Sequence, residues 1–402
     1  MKCILHAGAH KTGTTAIQNA MHGYDDGRLL YADLIDTNHG FALEVLFSDS
    51  FRERQSYERL GFSFEDIREQ YRSALHKTLQ TKRETIVFSG ENISTFDIGL
   101  LERMRDSFRE AFDAIEVILF VREPLDWTCS YMQTCVRLGE RLDDIMVRSF
   151  RSRIENLRMV FGAANVHLHR YEDHLSSEDG ILSAFCDLIG AEKVNIDDRE
   201  RELNKAILSD TFNVLCRFNE LGLLYENGRF GRTSRSRFIR RLALIFRDGA
   251  KLTPADFSAY CHFDDYEFLS EAAGLHYEKT AAEAPSGNSG FEIGADQTAA
   301  LYEFLGDLGL EFGSARDTDS AIKALYYYCL AEEFSAAGLV GADGGPVVPG
   351  RLSAGRAEHE QVSAASAADY ALHRFLGDLK LLPPKARERF LRAAERRLDR
   401  LR

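Results

Sequence analysis

The chain has 402 residues, 45% hydrophobic and 28% charged, a globular balance that excludes a disordered or fibrous protein. Its 50 Lys and Arg against 63 Asp and Glu leave a net charge of −13, which argues against a general nucleic-acid binder. Seven cysteines (Cys3, Cys129, Cys135, Cys186, Cys216, Cys261 and Cys329) form no C-x-x-C, so reduced thiols and a cytoplasmic protein are expected rather than a disulfide framework or a zinc site. Residues 1–8 are too short an apolar run for a signal peptide, and no stretch is long enough to span a bilayer.

Taken in order, the apolar run Cys3–Ala7 predicts a strand, followed by a glycine-containing loop and a helical pattern with Ile17 and Met21 one turn apart. A helix is predicted over Phe64–Leu79, a strand over Thr85–Ser89, and a helix over Leu100–Phe112. Next come a strand over Glu116–Val121, a helix from near Trp127, a strand over Val166–Arg170 and a helix over Leu182–Gly190. The strand runs are short, rich in β-branched residues and weakly alternating, as in strands buried on both faces. Strands separated by helices imply an α/β fold, a P-loop-type parallel sheet flanked by helices. Beyond Leu203 the strand signal fades, and Thr211–Leu224, Ala295–Leu308 and Thr318–Phe334 read as helices. Ala284–Gly290 and Gly338–Gly350 read as loops. The expected organisation is a core over 1–215, a helical extension over 216–337, a Gly/Pro linker over 338–350 and a basic helical tail over 351–402.

The first loop reads Gly8-Ala9-His10-Lys11-Thr12-Gly13-Thr14-Thr15. Strand, glycine loop and helix is the arrangement that binds phosphate: glycines let the backbone turn its N–H groups inward, and the helix N-terminus adds positive partial charge. Gly8 and Gly13 have the Walker A spacing, but Thr14 stands where the nucleotide-hydrolysing loop carries Lys, and the lysine sits earlier, at Lys11. The expectation of a bound Mg²⁺ is weakened accordingly, and no metal is expected. A second basic point is Arg122, at the end of its strand and followed by Pro124, with Ser130 expected on the first turn of the next helix. A forked guanidinium and a hydroxyl can converge on one phosphate.

The pair of motifs, Gly-Ala-His-Lys-Thr-Gly-Thr-Thr and then Arg122-x-Pro124 with Ser130, resembles the P-loop sulfotransferases, bacterial members in particular. Val166–Asp173, with its Tyr171-Glu172-Asp173 ending, and Leu182–Gly190 add lesser echoes, so that the likeness covers about residues 1–210. The resemblance implies a donor, 3′-phosphoadenosine 5′-phosphosulfate (PAPS), whose 5′-phosphosulfate would be held by Gly8, Lys11, Thr12, Gly13, Thr14 and Thr15. Arg122 and Ser130 would take its 3′-phosphate. It further implies Lys11 as the group that stabilises charge on the leaving oxygen, and a His or Glu as base for the acceptor hydroxyl.

Glu91, just beyond Thr85–Ser89, stands where a carboxylate would face a ligand at the C-terminal edge of a parallel sheet, with a raised pKa suited to a base. His10, beside Lys11, is placed with it as a candidate for contact with donor or acceptor. His6 is expected to pack; His39 is read either as a pocket-lining or as a surface histidine, and Trp127 either as stacking on adenine or as core. The expected activity is sulfuryl transfer to an acceptor hydroxyl, on a carbohydrate or glycolipid, with 216–337 as a candidate cover for the acceptor site. The alternatives are a P-loop kinase or NTPase using Mg-ATP, in which Glu91 would hold Mg²⁺, and a non-catalytic nucleotide-binding scaffold.

Two basic stretches lie within the acidic total. Segment 228–251 carries eight basic residues and one acid, with Phe238, Leu242, Ile245 and Phe246 at helical spacing. It reads as a basic amphipathic helix able to touch the inner face of a membrane, or as a solvated face. Segment 385–402 carries eight basic residues and three acids around Leu391, Ala394, Leu398 and Leu401, a seam expected to pack on the core or to join copies into a homo-oligomer.

Overall fold

The computed structural model describes residues 1–49, 64–174, 180–192, 207–222, 229–278, 291–310 and 317–336. Among them are five strands: β1 (Lys2–His6), β2 (Leu29–Tyr31), β3 (Thr85–Ser89), β4 (Ala114–Val121) and β5 (Val166–Arg170). They form one parallel sheet in the order β2-β3-β1-β4-β5. The helices are α1 (Thr14–Met21), α2 (Gly40–Phe47), α3 (Phe64–Gln80), α4 (Ile98–Arg109), α5 (Pro124–Leu138) and α6 (Phe150–Phe161). They continue as α7 (Gly180–Ile189), α8 (Ser209–Glu220), α9 (Arg229–Ile245), α10 (Asp264–Ala273), α11 (Ala295–Asp307) and α12 (Thr318–Ala336). The α/β class is as the sequence indicates.

The chain divides into two compact units. The first comprises 1–131, 146–205 and 253–286, the second 132–145, 206–252 and 287–402. In the first, alternate residues of the sheet serve two separate cores. Cys3, Leu5, Ile86, Phe88, Val117 and Leu119 face α2, α3, α4 and α6. Ile4, Val87, Ile118 and Phe120 face Ile17 and Met21 of α1 and Leu182 and Phe185 of α7. Both faces of β1, β3 and β4 are therefore apolar, which is why these runs show little alternation. β1 is central, and chain leaves it toward β2 but leaves its neighbour β4 toward β5. The topological switch point falls between β1 and β4, at the edge where both strands end.

Helix ends are set by identifiable groups. Asp97 accepts the Leu100 N–H at 2.8 Å, so α4 starts two residues before the expected Leu100 and stops at Arg109. Ser149 caps α6, and the buried Asp265 accepts the Phe150 N–H at 2.7 Å and the Arg151 N–H at 3.0 Å. α5 begins at Pro124, a good first-turn residue because its missing N–H has no partner to lose. Ser130 is thus six residues into α5, not on its first turn as expected.

In the second unit, Phe218, Phe238 and Tyr326 pack with ring centroids 4.6 Å (Phe218–Phe238) and 4.8 Å (Phe218–Tyr326) apart. Phe238, Leu242 and Phe246 are buried, so this part of the apolar face is already covered by protein, while Leu244, off that face, is largely exposed. Arg235 is buried and donates to the carbonyls of Val136 (2.6 Å) and Arg137 (2.7 Å), and Arg241 pairs with Glu332. This helix therefore commits Arg235, Arg241 and the buried Phe238, Leu242 and Phe246 to the unit itself. The seven cysteines form no disulfide. Among the described residues no helix is long and apolar enough to cross a membrane. Ala284–Gly290, the linker 338–350 and the tail 351–402 lie outside the described residues.

Replacing Asp265 with Ala is expected to leave the α6 N–H groups of Phe150 and Arg151 without their acceptor and to cost about 1–3 kcal/mol. The urea midpoint should fall with an unchanged slope.

Candidate functional site

The loop after β1 is built around a backbone that turns twice into the left-handed region. Gly13 has φ 78°, and Lys11, a non-glycine, has φ 68°. Gly13 is required on two counts, since a Cβ there would also lie 2.6 Å from Ile181 Cγ2. A left-handed Lys is a local strain that surrounding contacts must sustain. Those contacts are carbonyl ties. The Thr12 hydroxyl donates to Ala9 O at 2.7 Å, the Trp127 indole N–H donates to His10 O at 2.7 Å, and the Arg122 guanidinium donates to Lys11 O at 3.4 Å. Three consecutive carbonyls are thereby drawn away, one from within the loop, one by α5 and one by the end of β4. Alternating left-handed residues ahead of a helix N-terminus make an anion-binding concavity.

Thr12 and Thr14 are buried, and the Thr14 hydroxyl also lies 3.4 Å from Ala9 O, over Gly8. Thr15 is exposed and donates to Glu91 Oε1 at 3.2 Å. His10 Nδ1 lies 2.8 Å from Glu91 Oε2. His10, Lys11, Thr15, Glu91 and Arg122 are thus linked in one group at the switch point, Lys11 and Arg122 across 111 positions of sequence. Ser130 is half-buried on α5, one residue before Tyr131. Arg122 is a quarter exposed, 4.0 Å from Asp126 and 5.7 Å from the centre of the Tyr171 ring.

The electrostatics of Glu91 run against expectation. Burial pushes its carboxyl up, but the hydrogen bonds from His10 and Thr15 and the charge of Lys11 outweigh burial and hold it below the usual range. It is not the raised-pKa carboxyl that its place at the sheet edge suggested, because that edge is crowded with donors.

Sequence reasoning left Trp127 between two roles and gave it no part in the loop. It is core: buried, stacked on Tyr131 at 5.0 Å and 11°, with the Arg153 guanidinium 4.9 Å from its ring centre. Tyr131 in turn stacks on His10 at 5.8 Å. His39 is buried, neither at the surface nor on display in a pocket; its Nδ1 accepts the Ser89 N–H at 3.0 Å. It sits at the start of α2, where Gly40 passes so close to Gly90 that a Cβ on Gly90 would lie 2.7 Å from Gly40 backbone. His6 is buried as expected, with Nδ1 2.8 Å from Ser89 Oγ, which also accepts from Gln18 at 3.3 Å.

No family model matches the chain, and no curated protein matches it. Three solved structures are similar in part. A sulfotransferase from Alicyclobacillus acidocaldarius is 15% identical, with 57% of this chain and 98% of that chain covered and a TM-score of 0.32. The sulfotransferase domain of the Synechococcus PCC 7002 olefin synthase is 16% identical (48% and 73% covered, TM-score 0.26). That of the curacin biosynthetic pathway is 18% identical (48% and 74% covered, TM-score 0.28). Likeness at this level assigns no activity.

The two histidines beneath the loop set an acid limit on stability. Burial lowers the His6 pKa from 6.5 to about 4, despite the opposing charge of Glu91, and lowers that of His39 to about 3. The unfolded chain binds these protons more readily than the folded one, so stability is full above pH 6.5 and falls as pH drops toward 3 to 4. The slope is at most about 1.4 kcal/mol per pH unit for each imidazole. In His39→Asn, the urea midpoint should change less between pH 7.5 and pH 5 than in the wild type.

Proposed function

We propose that the protein is a sulfotransferase, moving a sulfuryl group from PAPS to an acceptor hydroxyl. The observation that carries this reading is the loop at the switch point: two left-handed residues, Lys11 and Gly13, the His10 and Lys11 carbonyls tied back by Trp127 and Arg122, and Lys11 at its tip. Gly8, Lys11, Thr12, Gly13, Thr14 and Thr15 would hold the 5′-phosphosulfate and Arg122 with Ser130 the 3′-phosphate. The chain's residues suit a ligand with two anionic ends, since the Lys11 side chain and the Arg122 guanidinium come from the ends of different strands. When bound, the donor supplies an activated sulfuryl group on a phosphate leaving group. Lys11 stabilises the charge that develops on that leaving oxygen, and the His10–Glu91 pair receives the acceptor's proton. No metal is required by this reading. A carbohydrate or glycolipid acceptor rests on the family resemblance alone.

The placement of lysine favours this reading over a P-loop kinase or NTPase: it lies inside the loop at Lys11, and Thr14 fills the Walker A position. Calorimetric titration with adenosine 3′,5′-bisphosphate is expected to give metal-independent binding, with little response to Mg-ATP. Arg122→Ala should weaken the bisphosphate roughly 10–100-fold, the loss of charge-assisted hydrogen bonds to a phosphate. Lys11→Ala should lower turnover about 10²–10³-fold. Preference for Mg-ATP would overturn the reading.

A further inference from the structure

The sequence leaves open which group takes the acceptor's proton; four features of the site bear on it. Both Glu91 oxygens are occupied, Oε2 by His10 Nδ1 and Oε1 by the Thr15 hydroxyl. The Glu91 carboxyl is held below the usual range, against burial, by those bonds and by Lys11. An ionised carboxylate only accepts hydrogen bonds, so the hydrogen between the two residues sits on His10 Nδ1. That fixes the tautomer and leaves the lone pair of the neutral ring on Nε2, the nitrogen away from Glu91.

The His10 ring is also held by its face and by its own backbone. Tyr131 stacks on it at 5.8 Å, with the ring planes 29° apart. Trp127, which also stacks on Tyr131, donates its indole N–H to His10 O. The imidazole is nonetheless 32% exposed, where Glu91 is 21% exposed. An imidazole held by a carboxylate at one nitrogen, with about a third of the side chain exposed, is the arrangement of an activated base with its orienting partner. The charged and titratable groups that face it are Glu91, the adjoining Lys11 with Arg122 on its carbonyl, and Tyr131.

We propose that His10 Nε2 is the proton acceptor of the reaction and that Glu91 is its positioning residue. This rests on the sulfuryl-transfer reading above. The acceptor O–H bond breaks and its proton goes to Nε2, giving an imidazolium that faces the Glu91 carboxylate. The oxygen's electron pair forms the new O–S bond. The S–O bond to the 5′-phosphate breaks, and its pair stays on the phosphate oxygen beside Lys11.

The test uses the full chain and three readouts. Nitrogen-15 NMR of the wild type is expected to show His10 as the Nδ1–H tautomer, with that preference lost in Glu91→Gln. Adenosine 3′,5′-bisphosphate should bind His10→Gln and Glu91→Gln within about threefold of wild type, which also shows that the variants fold. PAPS hydrolysis, with water as the acceptor, should rise with pH through the same ionisation that NMR assigns to His10. His10→Gln should lower that turnover about 10²–10⁴-fold and remove the rising limb. Glu91→Gln should lower it less and move the limb to lower pH. A dominant Nε2–H tautomer in the wild type overturns the proposal. So does hydrolysis in His10→Gln within threefold of wild type while Glu91→Gln is inactive, which would make Glu91 the base. Failure of the wild type to bind the bisphosphate defeats the sulfotransferase reading instead, and the tautomer measurement still decides the pairing.

Discussion

The site depends on where three carbonyl groups go. A chain that bends through left-handed Lys11 and Gly13 exposes its peptide groups, and each carbonyl of Ala9, His10 and Lys11 needs a donor. Thr12, Trp127 and Arg122 supply them. Each donor comes from a different place: the loop itself, the first turn of α5, and the end of β4. The loop is therefore not shaped by its own sequence alone. Its conformation is a tertiary property, and the strain at Lys11 is sustained by the packing of α5 against the sheet.

That packing explains why the site sits where it does. The order β2-β3-β1-β4-β5 sends the chain out of β1 and β4 in opposite directions, so the two loops part instead of covering each other. Parallel pairing brings the ends of β1, β3 and β4 to one edge, with His6 opposite Ser89 and Ile118. Glu91 follows two residues after Ser89, and Arg122 follows directly after Val121. Just beneath, His6 and His39 each meet Ser89 through Nδ1 at the end of the apolar core, while their buried Nε2 atoms have no hydrogen-bond partner among the described residues.

Three of the four strands that were legible, β1, β3 and β4, were so because two-sided burial leaves short continuous apolar runs: Ile86-Val87-Phe88 and Val117–Val121 are buried throughout, whereas in β5 only Val166 is buried. β2 was not legible, since three residues carry no usable period. α2, Gly-Phe-Ala-Leu-Glu-Val-Leu-Phe, was missed because it is apolar nearly all round. The loop motif and the end-of-strand positions of Glu91 and Arg122 were legible because chain order and residue type suffice for them. The His10–Glu91 bond spans 81 positions and has no local signature. Trp127 had a signature that fitted two roles. Only its buried place, with its N–H on the His10 carbonyl, separates a loop-holding core residue from a base-stacking one.

The sign of the Glu91 shift has a general cause. Position at the edge of a parallel sheet suggests burial, and burial alone raises a carboxyl. An anion-binding edge, however, must gather donors and positive charge, and the same Lys11 and Thr15 that would serve a phosphosulfate also stabilise a nearby carboxylate. A second anion beside the ligand would oppose its binding unless the carboxylate's charge is taken up locally. His10 and Thr15 occupy both of its oxygens, so Glu91 can stand close to the loop without competing for it. On the proposed reading, the requirement to hold an anion and the requirement to hold a base are met by one arrangement, in which the carboxylate is committed to its neighbours and the part-exposed imidazole is the group left to exchange a proton.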